Sequence, residues 1–268
     1  MTAPLSDESP IDRLPIQRLP IERPAIEFDH ANYCLNGRAL LEDLALAVNP
    51  GETLVLLGRS GSGKTTTLKL INRLLLPTSG AVRVNGRSTA DWDPIRLRRS
   101  IGYVIQDGGL FPHFTVQRNI ALVPQIENWP RSRVQDRVRE LLSLVGLNQD
   151  LASRYPSELS GGQRQRVGVA RALAADPPIL ILDEAFGALD PITRSELQRE
   201  FRALQQRMRK TVVFVTHDLR EALLLGDNIA LLEAGRLIVS LPQADFLRSE
   251  NPMVRAYVEA FSGLPETK

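Results

Sequence analysis

A chain of 268 residues, 43% apolar and 24% charged, can bury one substantial core or two small ones. Its 33 basic side chains against 31 acidic ones leave a formal charge of only +2, which excludes the broad basic field of a nucleic-acid partner. A single cysteine, Cys34, excludes an internal disulfide and a multi-cysteine metal site and reads as buried filler.

The first elements predicted in chain order are irregular. In "IDRLPIQRLPIERPAI", isoleucines recur five apart with Pro15, Pro20 and Pro24 between them. A five-residue period fits neither helix nor strand, and proline at that frequency breaks helices, so residues 1–24 are expected to be an extended, flexible tail. The amino terminus has no basic start followed by an apolar run, so no secretory signal is expected. No run of about eighteen apolar residues offers a membrane span.

From Ala25 the pattern turns regular. "AIEFDHANY" alternates like an edge strand ending near Tyr33, and "LALAVNPGETLVLLG" reads as two strands joined by a Pro50-Gly51 turn. "GKTTTLKLINRLL" carries a helical stripe at Leu68, Ile71, Leu74 and Leu75. "AVRVNGRS" is a strand entering an Asn-Gly turn, and "IGYVIQ" is a further strand. Residues 107–175 are mainly helical, notably over 134–145 and 163–173. The arginines of "RSRVQDRVRE" are interleaved with acids at near-helical spacing, the pattern of a solvated helix face. "PPILILDE" and "TVVFVTH" are short, almost wholly apolar runs, the mark of strands buried on both faces. Between them, "PITRSELQREFRALQQRM" is an amphipathic helix with Pro191 in its first turn. "NIALLEAGRLIVSL" is a hairpin turning at Ala234-Gly235, and short helices end the chain. Buried strands alternating with helices predict an α/β fold with a mainly parallel sheet, preceded by antiparallel strands and interrupted by a helical insertion.

Two glycine-rich loops stand out. In "GRSGSGKTTT", Gly58, Gly63, Lys64 and Thr65 satisfy G-x-x-x-x-G-K-[ST] after a predicted strand and before a predicted helix, the context this motif needs. Glycines let the backbone wrap so that its N–H groups face anionic oxygens, and the helix adds its positive end. Gly58, Ser60, Gly61, Ser62, Gly63, Lys64, Thr65 and Thr66 are therefore the candidate cradle for the phosphates of a nucleotide, with the Thr65 hydroxyl on Mg²⁺. Asp183, ending "ILILD", is the expected partner for that metal, and Glu184 after it the expected general base that orients and deprotonates water. His217, after "VVFVT", should emerge at the same carboxyl edge of the sheet.

The second loop, "LSGGQ" at 159–163, makes a resemblance specific. Over residues 25–240 the chain resembles the ATP-binding subunit of an ABC transporter, a P-loop NTPase core with an antiparallel β subdomain and a helical subdomain near 107–175. The motifs fall in order: Tyr33, the phosphate loop, Gln106 in "YVIQ", "LSGGQ", "ILILDE", Asp190 in "GALD", and His217 in "VTHD". The resemblance implies that Tyr33 stacks on adenine, that Gln106 touches Mg²⁺ or the attacking water, and that His217 contacts the γ-phosphate. It also implies a head-to-tail homodimer in which Ser160, Gly161, Gly162, Gln163 and Asp190 act on ATP bound by the second ATPase subunit. ATP would then close the dimer and hydrolysis reopen it. Where the family usually reads Asp-Glu-Pro, this chain has Ala185, and only a modest effect on rate is expected.

"IGYVIQDGGLFPHFTVQRNIALVP", "LINRLLLPTSG" and "DPIRLRRSIGYVIQ" are similar to ATPase subunits of importers for glycine betaine, choline, carnitine and related osmoprotectants. That resemblance implies transmembrane permease subunits and an extracytoplasmic substrate-binding protein as partners, no nucleic acid, and a cytoplasmic location on the inner face of the membrane. His113 would lie near the coupling surface or be a loop histidine of no special role. Residues 241–268 should be short helices without the paired regulatory domains that many relatives append. An importer of another small solute, such as an amino acid or a sulfonate, is the alternative; an ABC ATPase of DNA repair or translation is the reading from a different class.

Overall fold

A computed structural model describes residues 23–262, and the proline-rich stretch at 1–22 lies outside them. Two sheets share the chain. Strands β1 (Ile26–Leu35), β2 (Arg38–Val48), β4 (Ser79–Val84) and β5 (Arg87–Ser88) form an antiparallel sheet in the order β2-β1-β4-β5. Strands β3 (Thr53–Leu57), β6 (Ile101–Ile105), β7 (Ile179–Asp183), β8 (Thr211–Thr216), β9 (Asn228–Glu233) and β10 (Arg236–Pro242) form the second, in the order β10-β9-β3-β8-β7-β6. All neighbours in this second sheet are parallel except the β9–β10 hairpin.

The apolar runs behave as their composition requires. Successive side chains of a strand point to opposite faces, and in β3 Val55 and Leu57 enter one core cluster while Leu54 and Leu56 enter the other. β7 divides in the same way, Leu180 and Leu182 against Ile179 and Ile181, and so does β8, Val212 and Phe214 against Val213 and Val215. One cluster is roofed by helices α3 (Val116–Ile126), α4 (Arg131–Leu144), α5 (Gly161–Leu173), α6 (Pro191–Met208) and α7 (Leu219–Leu225). The other lies between the parallel sheet, α1 (Lys64–Ile71), α2 (Pro94–Arg99) and the antiparallel sheet. Helices α8 (Gln243–Phe246) and α9 (Pro252–Ser262) follow the hairpin, α9 burying Val254 in the first cluster.

The helical insertion is held to the sheet at a point of very close approach. A Cβ on Gly102 of β6 would stand 2.4 Å from the Ala172 carbonyl oxygen of α5 and 2.5 Å from Leu180 Cδ2, so only glycine lets the helix lie this near the strand.

Three expectations are corrected. β1 is not an edge strand, because β4 pairs with its outer side, Phe28 opposite Val82. The stripe of α1 stops at Ile71: Arg73 takes a left-handed φ of 55°, and the amides of Leu74 and Leu75 fold back onto the Lys69 carbonyl, leaving Leu74 52% exposed. Cys34 is exposed rather than buried, since it stands near the end of β1, where the strand leaves the core for the Asn36-Gly37 turn.

Candidate functional site

Parallel register brings the predicted residues to one edge. Leu57 of β3 is level with Thr216 of β8, Val215 of β8 with Asp183 of β7, and Asp183 with Ile105 of β6. The next residues along these strands are Gly58, His217, Glu184 and Gln106. Four adjacent strands therefore deliver the phosphate loop, the histidine, the acid pair and the glutamine to the carboxyl edge, where ligands bind in such sheets.

The loop has the backbone geometry of an anion cradle. Gly61 and Gly63 take φ of 80° and 103°, left-handed conformations that side chains resist. A Cβ on Gly58 would meet the Leu232 carbonyl oxygen at 2.3 Å, and one on Gly63 would meet Leu41 Cδ2 at 2.7 Å. Ser62 is 3% exposed, and its hydroxyl has no protein partner. An orphaned hydroxyl in such a cradle fits a phosphate acceptor better than it fits a closed protein turn. Lys64 is 5% exposed, and its Nζ donates to the Gly58 carbonyl at 2.7 Å and the Arg59 carbonyl at 2.9 Å. Burial lowers its pKa, while the charges of Glu184, Asp183 and Glu233 oppose that shift. Two of its three protons are thus committed to the loop. Ser60, Gly61, Gly63, Lys64, Thr65, Thr66 and Glu184 line a cleft of about 260 Å³ that Leu40 closes on the β2 side.

Thr65 and Asp183 meet as predicted: the threonine hydroxyl donates to Asp183 Oδ1 at 3.4 Å, and Tyr103 donates to Oδ2 at 3.2 Å. Burial raises the pKa of Asp183, and the Tyr103 hydrogen bond pulls it back. Among the described residues no group of three or more His, Cys, Asp or Glu gathers to hold a metal alone. A hydroxyl and one carboxylate suit Mg²⁺, which keeps waters and takes phosphate oxygens for its remaining positions.

Glu184 has a left-handed φ of 46°, a strained setting for a non-glycine residue. The turn is fastened by the Glu184 amide to the Val215 carbonyl and by the Gly187 amide to the Glu184 carbonyl. Its carboxylate lies 3.6 Å from His217 Nδ1. Gln106 faces the same turn, its Nε2 at 3.7 Å from where a Gly187 Cβ would stand. Ala185 is 2% exposed, and its amide donates no hydrogen bond among the described residues, so a proline there would forfeit none. Ala185→Pro should leave steady-state phosphate release within about three-fold. Crowding of the left-handed Glu184 should cost about 1 kcal/mol, read as a thermal midpoint lower by about 2–4 °C.

Tyr33 is half-buried against the inner cluster and does not line the cleft, but β1–β2 register sets it opposite Leu41, beside Leu40.

The second glycine loop is elsewhere. Ser160 caps α5: its Oγ accepts from the Gln163 amide at 3.2 Å and its own amide donates to Gln163 Oε1 at 2.9 Å, a closed capping box. Gln163 therefore shapes the turn. Gly162 abuts α6, where a Cβ would come within 2.7 Å of Thr193 Cγ2, while Gly161 has open room with Leu189 Cδ2 at 3.5 Å. Asp190 caps α6 through the Ile192 and Thr193 amides; hydrogen bonds from Thr193 lead the causes that hold its pKa below the usual range. None of these residues lines the phosphate cleft.

Sequence reasoning missed the residues that carry the His217 turn. Thr216 donates to Glu221, which is 5% exposed and also accepts from Gln198, and the Asp218 amide donates back to the Thr216 hydroxyl. Burial raises the pKa of Glu221. The Tyr257 hydroxyl donates to the His217 carbonyl at 2.8 Å. The run "VTHDLREAL" held a trace of the first contact, a carboxylate one helical turn beyond the histidine.

Residues 41–187 match the family model described as ABC transporter. The chain belongs to the ABC transporter family of ATP-binding subunits. This ABC cassette is 51% identical over 227 residues to the choline transport ATP-binding protein OpuBA of Bacillus subtilis, covering 85% of this chain and 59% of that protein. It is 47% identical to the glycine betaine uptake system ATP-binding protein YehX of Escherichia coli, over 83% of this chain and 75% of that one. Among solved structures it is similar to the dimeric, post-hydrolysis ATP-binding cassette MJ0796 bound to ADP and Pi, at 33% identity and a TM-score of 0.72 over 81% of this chain and 98% of that one. It is also similar to cbiO1 of Clostridium perfringens, part of the transporter complex cbiONQ, at 27% identity and a TM-score of 0.79 over 88% of this chain and 96% of that one. The chain spans 59% of the length of the first curated relatives it matches.

Proposed function

We propose that this cassette hydrolyses ATP to power an importer of a quaternary-amine osmoprotectant such as glycine betaine, choline or carnitine. The observation that carries hydrolysis is the convergence of Lys64, Thr65, Asp183, Glu184, His217 and Gln106 on one sheet edge. The cargo reading is supported by the transport roles of the relatives, whose identity reaches 51%. Loop amides and Lys64 hold the phosphates, Tyr33 stacks on the adenine, and Thr65, Asp183 and Gln106 would hold Mg²⁺. Bound there, Mg²⁺ would offset charge on the β- and γ-phosphate oxygens. Glu184 takes the proton of the attacking water, and His217 and Gln106 orient the terminal phosphate and that water.

Ser160, Gly161 and Gly162 of a second copy complete each site, with Asp190 aligning the pair. The free amides and positive end of α5 are suited to that contact. The energy reaches the membrane through permease subunits on its inner face, and an extracytoplasmic binding protein presents the solute. Phe111, His113 and Phe114, packed ring to ring just beyond Gln106, offer a surface for the permease. Among the described residues no helix is long and apolar enough to cross a membrane.

The test is uptake in proteoliposomes carrying this cassette, its permease and its binding protein. Labelled glycine betaine, choline or carnitine should accumulate only when ATP is present on the cassette side. Uptake of an amino acid or a sulfonate in their place selects the alternative cargo, and ATP hydrolysis that no solute stimulates removes the transport reading.

A further inference from the structure

His217 is loosely held for a predicted catalytic group. Its side chain is 59% exposed, and its one described side-chain contact is Glu184 at 3.6 Å. The reach of the imidazole toward a terminal phosphate is therefore set by its backbone. On one side the Thr216–Glu221–Gln198 chain holds that backbone. The other side is held by Tyr257 from α9.

We propose that Tyr257 is a positioning residue for His217, its hydroxyl fixing the histidine's carbonyl so that the imidazole meets the terminal phosphate. The proposal rests on His217 contacting that phosphate. The hydroxyl donates to the carbonyl oxygen at 2.8 Å. Burial pushes the Tyr257 phenol up to about 12, so it remains a donor at physiological pH. The ring is fixed in turn, stacked on Phe261 with centroids 5.1 Å apart and planes 13° apart. A cavity of about 490 Å³ separates α9 from the phosphate loop, with Met253, Tyr257 and Phe261 on one wall and Arg59, Ser60 and His217 on the other. Ser60 also lines the phosphate cleft, so the loop borders both spaces, while His217 lines the larger one. Across this cavity the Tyr257 hydroxyl is a polar bond from α9 to the turn that bears the histidine.

Docking of α9 does not need that bond. Val254 is 1% exposed in the core, and Tyr257 and Phe261 pack on the same cluster through their rings. Tyr257→Phe keeps the ring, the stack and the apolar burial and deletes one donor. A merely structural tyrosine would then lose a little stability and nothing specific to the third phosphate.

Nucleotide affinity of the full chain in a Glu184→Gln background tests this, because no turnover blurs the equilibrium. Tyr257→Phe should weaken ATP binding about five-fold, the size of one net hydrogen bond, and leave ADP binding unchanged. His217→Ala should show the same selectivity more strongly, and adding Tyr257→Phe to it should weaken ATP no further, since residues acting through one contact are not additive. If Tyr257→Phe shifts ATP and ADP equally or not at all, or if the two losses multiply, Tyr257 does not act through His217. If His217→Ala leaves the ATP-to-ADP ratio intact, the phosphate contact itself is wrong and the tyrosine's role falls with it. A thermal scan of each variant separates these results from unfolding.

Discussion

Glu184→Gln should bind ATP as the parent does and turn it over roughly 10²–10⁴-fold more slowly, the range a positioned general base contributes. Glutamine has the same shape, so the fastening of the turn by backbone bonds to Val215 and from Gly187 is kept. What disappears is the proton acceptor, together with a negative charge near Lys64 and Asp183. Removing a negative charge beside an anionic triphosphate favours its binding, so affinity should hold or improve. With hydrolysis stopped, the state that ATP closes should persist, and the protein should run as a dimer with ATP and as a monomer with ADP. Single-turnover phosphate release and light scattering with each nucleotide read the two effects separately. Turnover within ten-fold of the parent would give the base's role to another group, and His217, 3.6 Å away, is the first to examine.

The meeting of these residues at one edge was legible because a phosphate-binding motif prescribes residue types at fixed spacing. Gly63, Lys64 and Thr65 must be neighbours if amide, ammonium and hydroxyl are to meet one triphosphate. Strand type was legible for a similar reason, since a short unbroken apolar run such as "ILIL" at 179–182 suits a strand buried on both faces. Partners distant in sequence were not legible. Whether β1 is an edge depends on β4, which begins at Ser79, and nothing in "AIEFDHANY" encodes that strand. The early end of α1 turns on one left-handed residue, Arg73, just past the Asn72 cap, a signal that the apolar pair Leu74 and Leu75 masks by continuing the helical stripe. Tyr257 reaches His217 across 40 residues through a single hydroxyl, and tyrosine in an apolar helix reads as packing. The signature turn lies between these extremes. Its capping box is written in Ser160 and Gln163, while its separation from the phosphate cleft emerges only with the fold.

That separation makes sharing between copies the most exposed part of the functional reading, and mixing two inactive variants tests it directly. Lys64→Ala removes the ammonium from the phosphates and leaves the Gly58 and Arg59 carbonyls without their donor, so its own cradle is lost. Gly161→Asp injures the other half without unfolding it. The position has ordinary room, 3.5 Å to Leu189 Cδ2, and an acid in the first turn of a helix suits its dipole. The same carboxylate stands where α5 would offer amides to a γ-phosphate, and there it repels the anion. Each variant alone should be nearly inactive in phosphate release. In a two-fold dimer containing one of each, the intact loop of the Gly161→Asp chain faces the intact signature of the Lys64→Ala chain, and the opposite site carries both lesions. Random pairing makes half the dimers mixed, each with one of its two sites whole, so about a quarter of the parental sites should return. Recovery should rise with the mixed fraction as the input ratio is varied and vanish when either variant is in large excess. If the mixture stays as inactive as its components while a tag on one variant co-purifies the other as a dimer, each chain must complete its own site, and the open turn at Ser160 would need another ligand.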